Sequence, residues 1–344
     1  VKVIKIHGKT GDSTIMIGER LQGLDKYIPP KKVVIITDAN VRRYYHKDFL
    51  SSEVIEIGTG EKIKNLDTVQ YIFGKLLELE ADRSSFIVGI GGGIVCDIAG
   101  FVASTYMRGV RFGFVSSTLL SQVDASVGGK NGVNYGGYKN MVGVFNQPEF
   151  VICDMNLLKT LPKREVYCGF AEIVKHALIG DADLFEYLEL HYEKALELDT
   201  EAIEKVIYDS LVIKSKIVNI DEREAGERRK LNFGHTFGHA MEKALHIPHG
   251  EAISAGMVVA SALSAKRGLL ATKDVERIEE LLKKLNLPTK FQIDREMVLD
   301  ALRKDKKREG ERINFVLLQD IGHSVVEKIS IKELEAVIKD LYKP

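Results

Sequence analysis

Two histidines stand four residues apart in Asn232-Phe233-Gly234-His235-Thr236-Phe237-Gly238-His239-Ala240-Met241-Glu242. On a helix they share one face about a turn apart, and the small Gly234 and Gly238 beside them leave room for a ligand to approach. A third histidine follows in His249-Gly250-Glu251, directly before a helical run, and upstream Ala171-Glu172-Ile173-Val174-Lys175-His176 sets Glu172 and Lys175 on one helical face. Imidazole nitrogens joined by a carboxylate, with water completing the shell, are the donors of a catalytic zinc-like ion and not of a closed structural site. The HExxH pattern is absent, which argues against a metalloprotease of that type. A histidine pair at this spacing is also at home on a plain helix surface or in a core with one partner, so residue types alone leave the ligand set open.

A second candidate for chemistry is Gly89-Ile90-Gly91-Gly92-Gly93, at the junction between the apolar run 85–90 and a helical stretch over 94–104. Glycines there let a backbone approach a pyrophosphate, and a helix N-terminus offers unpaired N–H groups. Ile94 breaks the GxGxxG pattern, and the loop is not GxxxxGK[ST], which argues against a P-loop ATPase. The loop by itself fits either a bound phosphate or a tight turn. Polar residues also follow the other strand-like runs: Asp38 and Asn40, Glu61 and Lys64, Ser117 and Thr118. An acidic residue at a strand end suits a ribose hydroxyl pair, and the combination points to a dinucleotide.

The elements that must hold these residues can be read from periodicity. Lys32-Val33-Val34-Ile35-Ile36-Thr37, Val54-Ile55-Glu56-Ile57 and Arg111-Phe112-Gly113-Phe114-Val115 are strand-like. Residues 65–80 carry a helical stripe of Leu66, Val69, Ile72, Phe73, Leu76 and Leu77. Alternation of strand and helix around a glycine loop is the pattern of a doubly wound, Rossmann-like nucleotide-binding domain. After Asp154 helical patterns dominate, over 201–218, 251–267 and 273–285, while 313–318 reads as a strand or a buried extended run. The expected fold is therefore α/β: a Rossmann-like domain over 1–153 and a mostly helical domain over 154–344.

Composition narrows the function class. Of 344 residues 45% are hydrophobic, enough for two cores, and no stretch approaches the apolar length of a membrane span. The opening Val1-Lys2-Val3-Ile4-Lys5-Ile6 alternates like a strand and lacks a signal-peptide pattern, which leads to the expectation of a soluble cytoplasmic protein. Lysine plus arginine equals aspartate plus glutamate at 49 each, so no global charge favours nucleic acid. Cys96, Cys153 and Cys168 form no CxxC pair and fit reduced, buried thiols.

Several segments carry a resemblance. Gly91-Gly92-Gly93-Ile94-Val95-Cys96-Asp97-Ile98-Ala99-Gly100-Phe101, Arg108-Gly109-Val110-Arg111-Phe112, Ser117-Thr118-Leu119-Leu120-Ser121-Gln122-Val123-Asp124-Ala125-Ser126-Val127-Gly128-Gly129-Lys130, Gly137-Tyr138-Lys139-Asn140, Leu161-Pro162-Lys163-Arg164-Glu165 and Gly234-His235-Thr236-Phe237-Gly238-His239 follow in that order. With Asp305-Lys306-Lys307 they make the chain similar to the 3-dehydroquinate synthases along nearly its whole length. Asn131 stands where the family usually has threonine, and the His239-to-His249 spacing is shorter than in several members.

That resemblance implies an NAD+- and divalent-metal-dependent lyase, acting with Zn2+ or Co2+. It would convert the phosphorylated keto acid DAHP to 3-dehydroquinate and phosphate by transient oxidation, elimination, re-reduction, ring opening and aldol closure. It implies metal ligands Glu172, His235 and His249, and NAD contacts at Asp38, Asn40, Glu61, Lys64, Gly92, Gly93, Asp97, Ser117, Thr118 and Lys139. Substrate contacts would be Asp124, Lys130, Asn140, Lys175, Lys214, Arg228, Asn232, His239 and Lys306 or its neighbour Lys307, with His239, Lys175, Asn232 and Lys130 in catalytic roles. Arg108 would reach the phosphate of a neighbouring subunit in a homodimer. The rival readings are another sugar-phosphate cyclase and a glycerol-type polyol dehydrogenase.

Overall fold

Strands such as Val33-Val34-Ile35-Ile36 and Phe86-Ile87-Val88 carry no polar side chain, so they must be covered on both faces. The computed structural model describes residues 1–29, 31–292, 294–303 and 308–341 and divides into the units Val1–Glu165 and Val166–Pro344. The first unit runs β1 (Lys2–Gly8), β2 (Gly11–Ile17), β3 (Val33–Asp38), α1 (Ala39–Tyr45), β4 (Glu53–Ile57), α2 (Leu66–Glu78), β5 (Phe86–Gly91), α3 (Gly93–Thr105), β6 (Arg111–Ser116), β7 (Lys130–Tyr135), β8 (Tyr138–Phe145) and β9 (Phe150–Cys153). Its seven-stranded sheet has the order β1-β2-β9-β6-β5-β3-β4, with β1 antiparallel to β2 and the other neighbours parallel. Phe86 and Phe150 stack 5.8 Å apart in a core shared with Ile35, Val88, Val115 and Ile152.

This topology creates a binding position. From β3 the chain goes outward to β4 and then returns to β5 on the other side of β3, so the strand order reverses between β3 and β5. Ligands of open α/β sheets bind beyond the strand carboxyl ends at such a reversal. The register aligns Thr37 with Ile90, and the Thr37 hydroxyl donates to the Ile90 carbonyl at 2.8 Å. Asp38 and the glycines after β5 are thereby brought to the same end of the sheet. Residues 135–138 form the turn of the β7–β8 hairpin, with Gly136 and Gly137 both at positive φ.

The second unit is mostly helical: α4 (Lys163–Gly180), α5 (Ala182–Leu196), α6 (Thr200–Ile220), α7 (His235–Leu245), α8 (His249–Lys266), α9 (Thr272–Lys284), α10 (Arg295–Arg303) and α11 (Ile331–Leu341). It also holds an antiparallel sheet of β10 (Arg308–Glu309), β11 (Arg312–Asp320) and β12 (His323–Ser330). Periodicity signals β11 but not β12, whose polar Glu327 and Lys328 interrupt the apolar pattern. Among the described residues no helix is long and apolar enough to cross a membrane. All three cysteines are buried and none is in a disulfide, and burial pushes the Cys153 thiol up to about 12.

Candidate active site

Three helices of the second unit converge on one point. Glu172 lies midway along α4, His235 opens α7 and His249 opens α8. The sequence suggested that Gly234 and Gly238 leave room for a ligand; instead they let α8 approach α7. A Cβ on Gly238 would lie 3.1 Å from the Ala252 carbonyl oxygen, and one on Gly234 2.9 Å from the Met257 nitrogen. Gly250 seats the first turn of α8 on α4 in the same way, since a Cβ there would stand 2.5 Å from the Cys168 carbonyl oxygen. Close backbone packing of α4, α7 and α8 thus places the three side chains.

Their donor atoms face one another. Nε2 of His249 is 3.3 Å and Nε2 of His235 3.7 Å from Oε1 of Glu172. The Nδ1 of His235 donates to the Phe233 carbonyl at 3.1 Å, and that of His249 lies 3.5 Å from Glu242 Oε2. Both rings therefore turn Nε2 toward Glu172. Glu172 is fully buried and its Oε1 makes no hydrogen bond among the described residues, while Oε2 is ion-paired with buried Lys175. The three ligand atoms lie within 4.8 Å of one another. Two imidazoles, one carboxylate and one buried oxygen without a donor fit a divalent cation with positions left for water or substrate. Burial would raise the Glu172 carboxyl, but Lys175 and then His249 and His235 hold it well below the usual range. Burial opposes charge on His249 too, yet Glu172 and Glu242 push it up to about 9.

Other residues of the expected substrate set lie in the same unit, and His239 borders the centre. The His239 ring lies on the next turn of α7, 5.1 Å from His235 and 5.9 Å from His249 between centroids, and is exposed. Lys214 on α6 and Arg228 are buried, and Arg228 Nη1 donates to the Glu222 carbonyl. Asn232 Nδ2 donates to Glu224, and Asp221 accepts from the backbone of Ala225, Gly226 and Arg228, which shapes the loop before α7. Lys306 and Lys307 lie outside the described residues.

The first unit gathers the expected nucleotide residues at the carboxyl ends of its strands. Gly92 caps α3 and Gly93 begins it; a Cβ on Gly92 would lie 2.9 Å from Thr118 Cγ2 and one on Gly93 2.8 Å from Ala125 Cβ. Ser117 N–H donates to the Gly91 carbonyl at 2.9 Å, fixing Ser117 and Thr118 beside this turn. Asp38 caps α1 by accepting from Asn40 and Val41 at 2.8 and 3.0 Å. Buried Lys64 donates to Asp97, and also to Asn140 Oδ1 at 2.6 Å. Asn134 donates to Glu61 at 2.7 Å, and Lys139 stands 3.8 Å from the same oxygen. These contacts tie the β7–β8 hairpin to the loop before α2 and join Asn140 to the nucleotide set. A side-chain-free helix N-terminus flanked by acidic and hydroxyl groups fits a dinucleotide.

Asp124 sits in a π-helical turn, Ser121–Ala125, directly after β6, where Ser126 N–H donates to the Ser121 carbonyl at 3.3 Å. Lys130 opens β7 and is exposed. The unusual Asn131 is structural, donating to the carbonyls of Gly129 and Asn146 at 3.1 and 2.8 Å. Arg108 does not join the group. It is exposed at the turn before β6, at the amino end of the sheet, in a run of positive φ at Met107, Arg108 and Gly109. Asn134, Glu224 and Glu242 are absent from the sequence-level site. Glu242 alone had a legible signal, lying three residues beyond His239 on the same helical face.

Comparison with known proteins covers both units. The family model described as 3-dehydroquinate synthase N-terminal matches residues 54–168, and that described as 3-dehydroquinate synthase C-terminal matches residues 169–308. The chain is similar to a 3-dehydroquinate synthase of Dehalococcoides mccartyi, 40% identical over 338 residues, covering 95% of this chain and 94% of the relative. Among solved structures it is similar to a 2-deoxy-scyllo-inosose synthase complexed with carbaglucose-6-phosphate, NAD+ and Co2+, with a TM-score of 0.87, 26% identity and coverage of 98% and 100%. It is also similar to a 2-epi-5-epi-valiolone synthase from Streptomyces hygroscopicus subsp. jinggangensis 5008 with NAD+ and Zn2+ bound, with a TM-score of 0.88, 26% identity and 99% coverage of both chains.

Proposed function

The chain belongs to the 3-dehydroquinate synthase family, and on that premise we infer that it converts DAHP to 3-dehydroquinate and phosphate with NAD+ and a divalent cation, Zn2+ or Co2+. The observation that carries this reading is the convergence of Glu172 Oε1 with the Nε2 atoms of His235 and His249. When bound, the cation supplies a Lewis acid and the nicotinamide a reversible hydride acceptor. NAD binding belongs to residues 1–153, through Asp38, Asn40, Glu61, Lys64, Gly92, Gly93, Asp97, Ser117, Thr118 and Lys139. Metal binding belongs to 154–344, along with much of the substrate binding.

Each step asks something definite of the chain. Glu172, His235 and His249 hold the cation, and Lys175 neutralises the oxygen of Glu172 that faces away from it. His239, exposed beside the two ligand histidines, moves the proton of the reacting hydroxyl. A substrate with a carboxylate and a phosphate needs cations and amide donors, which Lys130, Lys175, Lys214, Arg228 and Lys306 supply together with Asn140 and Asn232. Asp124 completes the contacts to substrate hydroxyls. The protein acts as a cytoplasmic homodimer in which Arg108 serves the partner's site.

Phosphate release from DAHP, with NAD+ in catalytic amount and with or without a chelator, tests the reading. Expected are sustained release without accumulating NADH and loss of release on chelation; chelator-insensitive release or stoichiometric NADH overturns it. Product identity separates this activity from other sugar-phosphate cyclases.

A further inference from the structure

We infer that Glu242 is a positioning residue for His249: its buried carboxylate accepts a hydrogen bond from Nδ1–H and thereby presents Nε2, as a lone pair, to the cation. The inference rests on the cation position proposed above. Glu242 is 8% exposed, lies on α7 and approaches the first residue of α8, with Oε2 3.5 Å from His249 Nδ1. The opposite ring nitrogen stands 3.3 Å from Glu172 Oε1, so one imidazole is held between two carboxylates from two different helices.

The two ligand histidines are oriented by different means. His235 uses a carbonyl two residues away in its own chain segment, Phe233 at 3.1 Å, so its orientation is built into the entry to α7. His249 takes its partner from another helix, and that partner is anionic. A carboxylate behind a ligand imidazole fixes the tautomer, stops the ring from turning over and strengthens the donor nitrogen.

A rival use of the same residue is visible, because His239, Glu242 and His249 also offer ligand atoms within 4.8 Å of one another. A cation bound there would make Glu242 a ligand. Two observations oppose this. His239 is exposed, and Glu172 Oε1, on the Nε2 side of the ring, is a buried carboxylate oxygen that makes no hydrogen bond among the described residues. Glu242 therefore sits behind the ligand.

The test is titration of Co2+ into the metal-stripped full-length protein, reading affinity by calorimetry and ligand geometry by the cobalt absorption spectrum. Circular dichroism and NAD binding report folding. Wild type should bind one cobalt and His235→Ala should lose it; a wild type that binds none, or an unaffected His235→Ala, would sink the proposed metal position itself. Glu242→Ala and the size-matched Glu242→Met should bind cobalt about 10–100-fold more weakly with an altered spectrum. Glu242→Gln, whose amide oxygen still accepts from Nδ1–H, should recover most of the affinity and the wild-type spectrum. With His235→Ala inactive in binding, a Glu242→Met affinity within about twofold of wild type overturns the inference. So does Glu242→Gln binding as weakly as Glu242→Met, or the loss of a second cobalt equivalent in the variants, which would make Glu242 a ligand. Glu242→Met decides if Glu242→Ala does not fold.

Discussion

A carboxylate oxygen and two imidazole nitrogens that face one another need positive charge between them, and in the metal-free protein a proton on His249 supplies it. His249 is pushed up to about 9 by Glu172 and Glu242 against the effect of burial, so the protonated ring dominates at neutral pH. A metal ion needs the neutral ring and must displace that proton. The sign follows: below about 9 proton and metal compete, so apparent affinity should rise with pH, by up to about tenfold per unit, and level off above that value. Titration at several pH values, with proton release followed in buffers of different ionisation heat, checks this; a flat affinity between neutral pH and 9 would refute it. Removing a ligand outright should cost more than removing the group behind it. Glu172→Gln and His235→Ala are each expected to lower metal-dependent turnover more than about 100-fold while the first unit still binds NAD. Steady-state assays with excess metal and a separate NAD titration read the two effects.

At the scale of elements the site depends on how closely helices approach. Gly256 on α8 faces backbone: a Cβ there would overlap the Gly234 carbonyl oxygen and stand 2.7 Å from the Gly238 nitrogen. Alanine is worth about 1 kcal/mol more than glycine in a helix interior, but overlap with backbone that cannot rotate away costs about 1–3 kcal/mol and displaces the segment carrying His235. Overlap wins, so Gly256→Ala should lower thermal stability and weaken metal binding together. Gly74 on α2 is the contrast, since no atom lies within 4 Å of its would-be Cβ; Gly74→Ala should raise stability by about 0.4–1 kcal/mol and leave metal binding alone. Melting curves and metal titrations of the two variants decide between them. The same scale explains what could be read beforehand. β3, β5 and β6 were legible because strands covered on both faces have continuous apolar sequences, and the helices 201–218 and 273–285 because their stripes repeat. The β7–β8 hairpin was not, because β8 is largely exposed and its apolar residues do not follow a clean alternation; its register comes from pairing with β7 around the Gly136-Gly137 turn. The ligands Glu172, His235 and His249 stood out by residue type, whereas Asn134 looks like an ordinary polar residue until packing aims it at Glu61.

At the scale of the whole molecule, the proposed dimer is tested by Arg108. This residue precedes β6, while Ser117 and Thr118 follow it, and six residues of strand rise about 20 Å. That exceeds the reach of an arginine side chain, so Arg108 cannot serve the carboxyl-end loops of its own sheet. In a twofold dimer the same arginine can serve the partner, and the relation is reciprocal. Complementation measures this directly. Arg108→Ala keeps its own metal ligands and lacks only the arginine it would lend; His235→Ala lacks a ligand but still lends Arg108. Each alone should be inactive. In a mixed dimer one site regains every group and the other lacks two, so random pairing of equal amounts should restore about a quarter of wild-type activity. If Arg108 acted within its own protomer, neither site of a mixed dimer would be whole and activity would stay at background. Co-expression with two affinity tags, isolation of the mixed dimer and assay of phosphate release distinguish these outcomes, and a fully active monomer would dismiss the intersubunit role altogether.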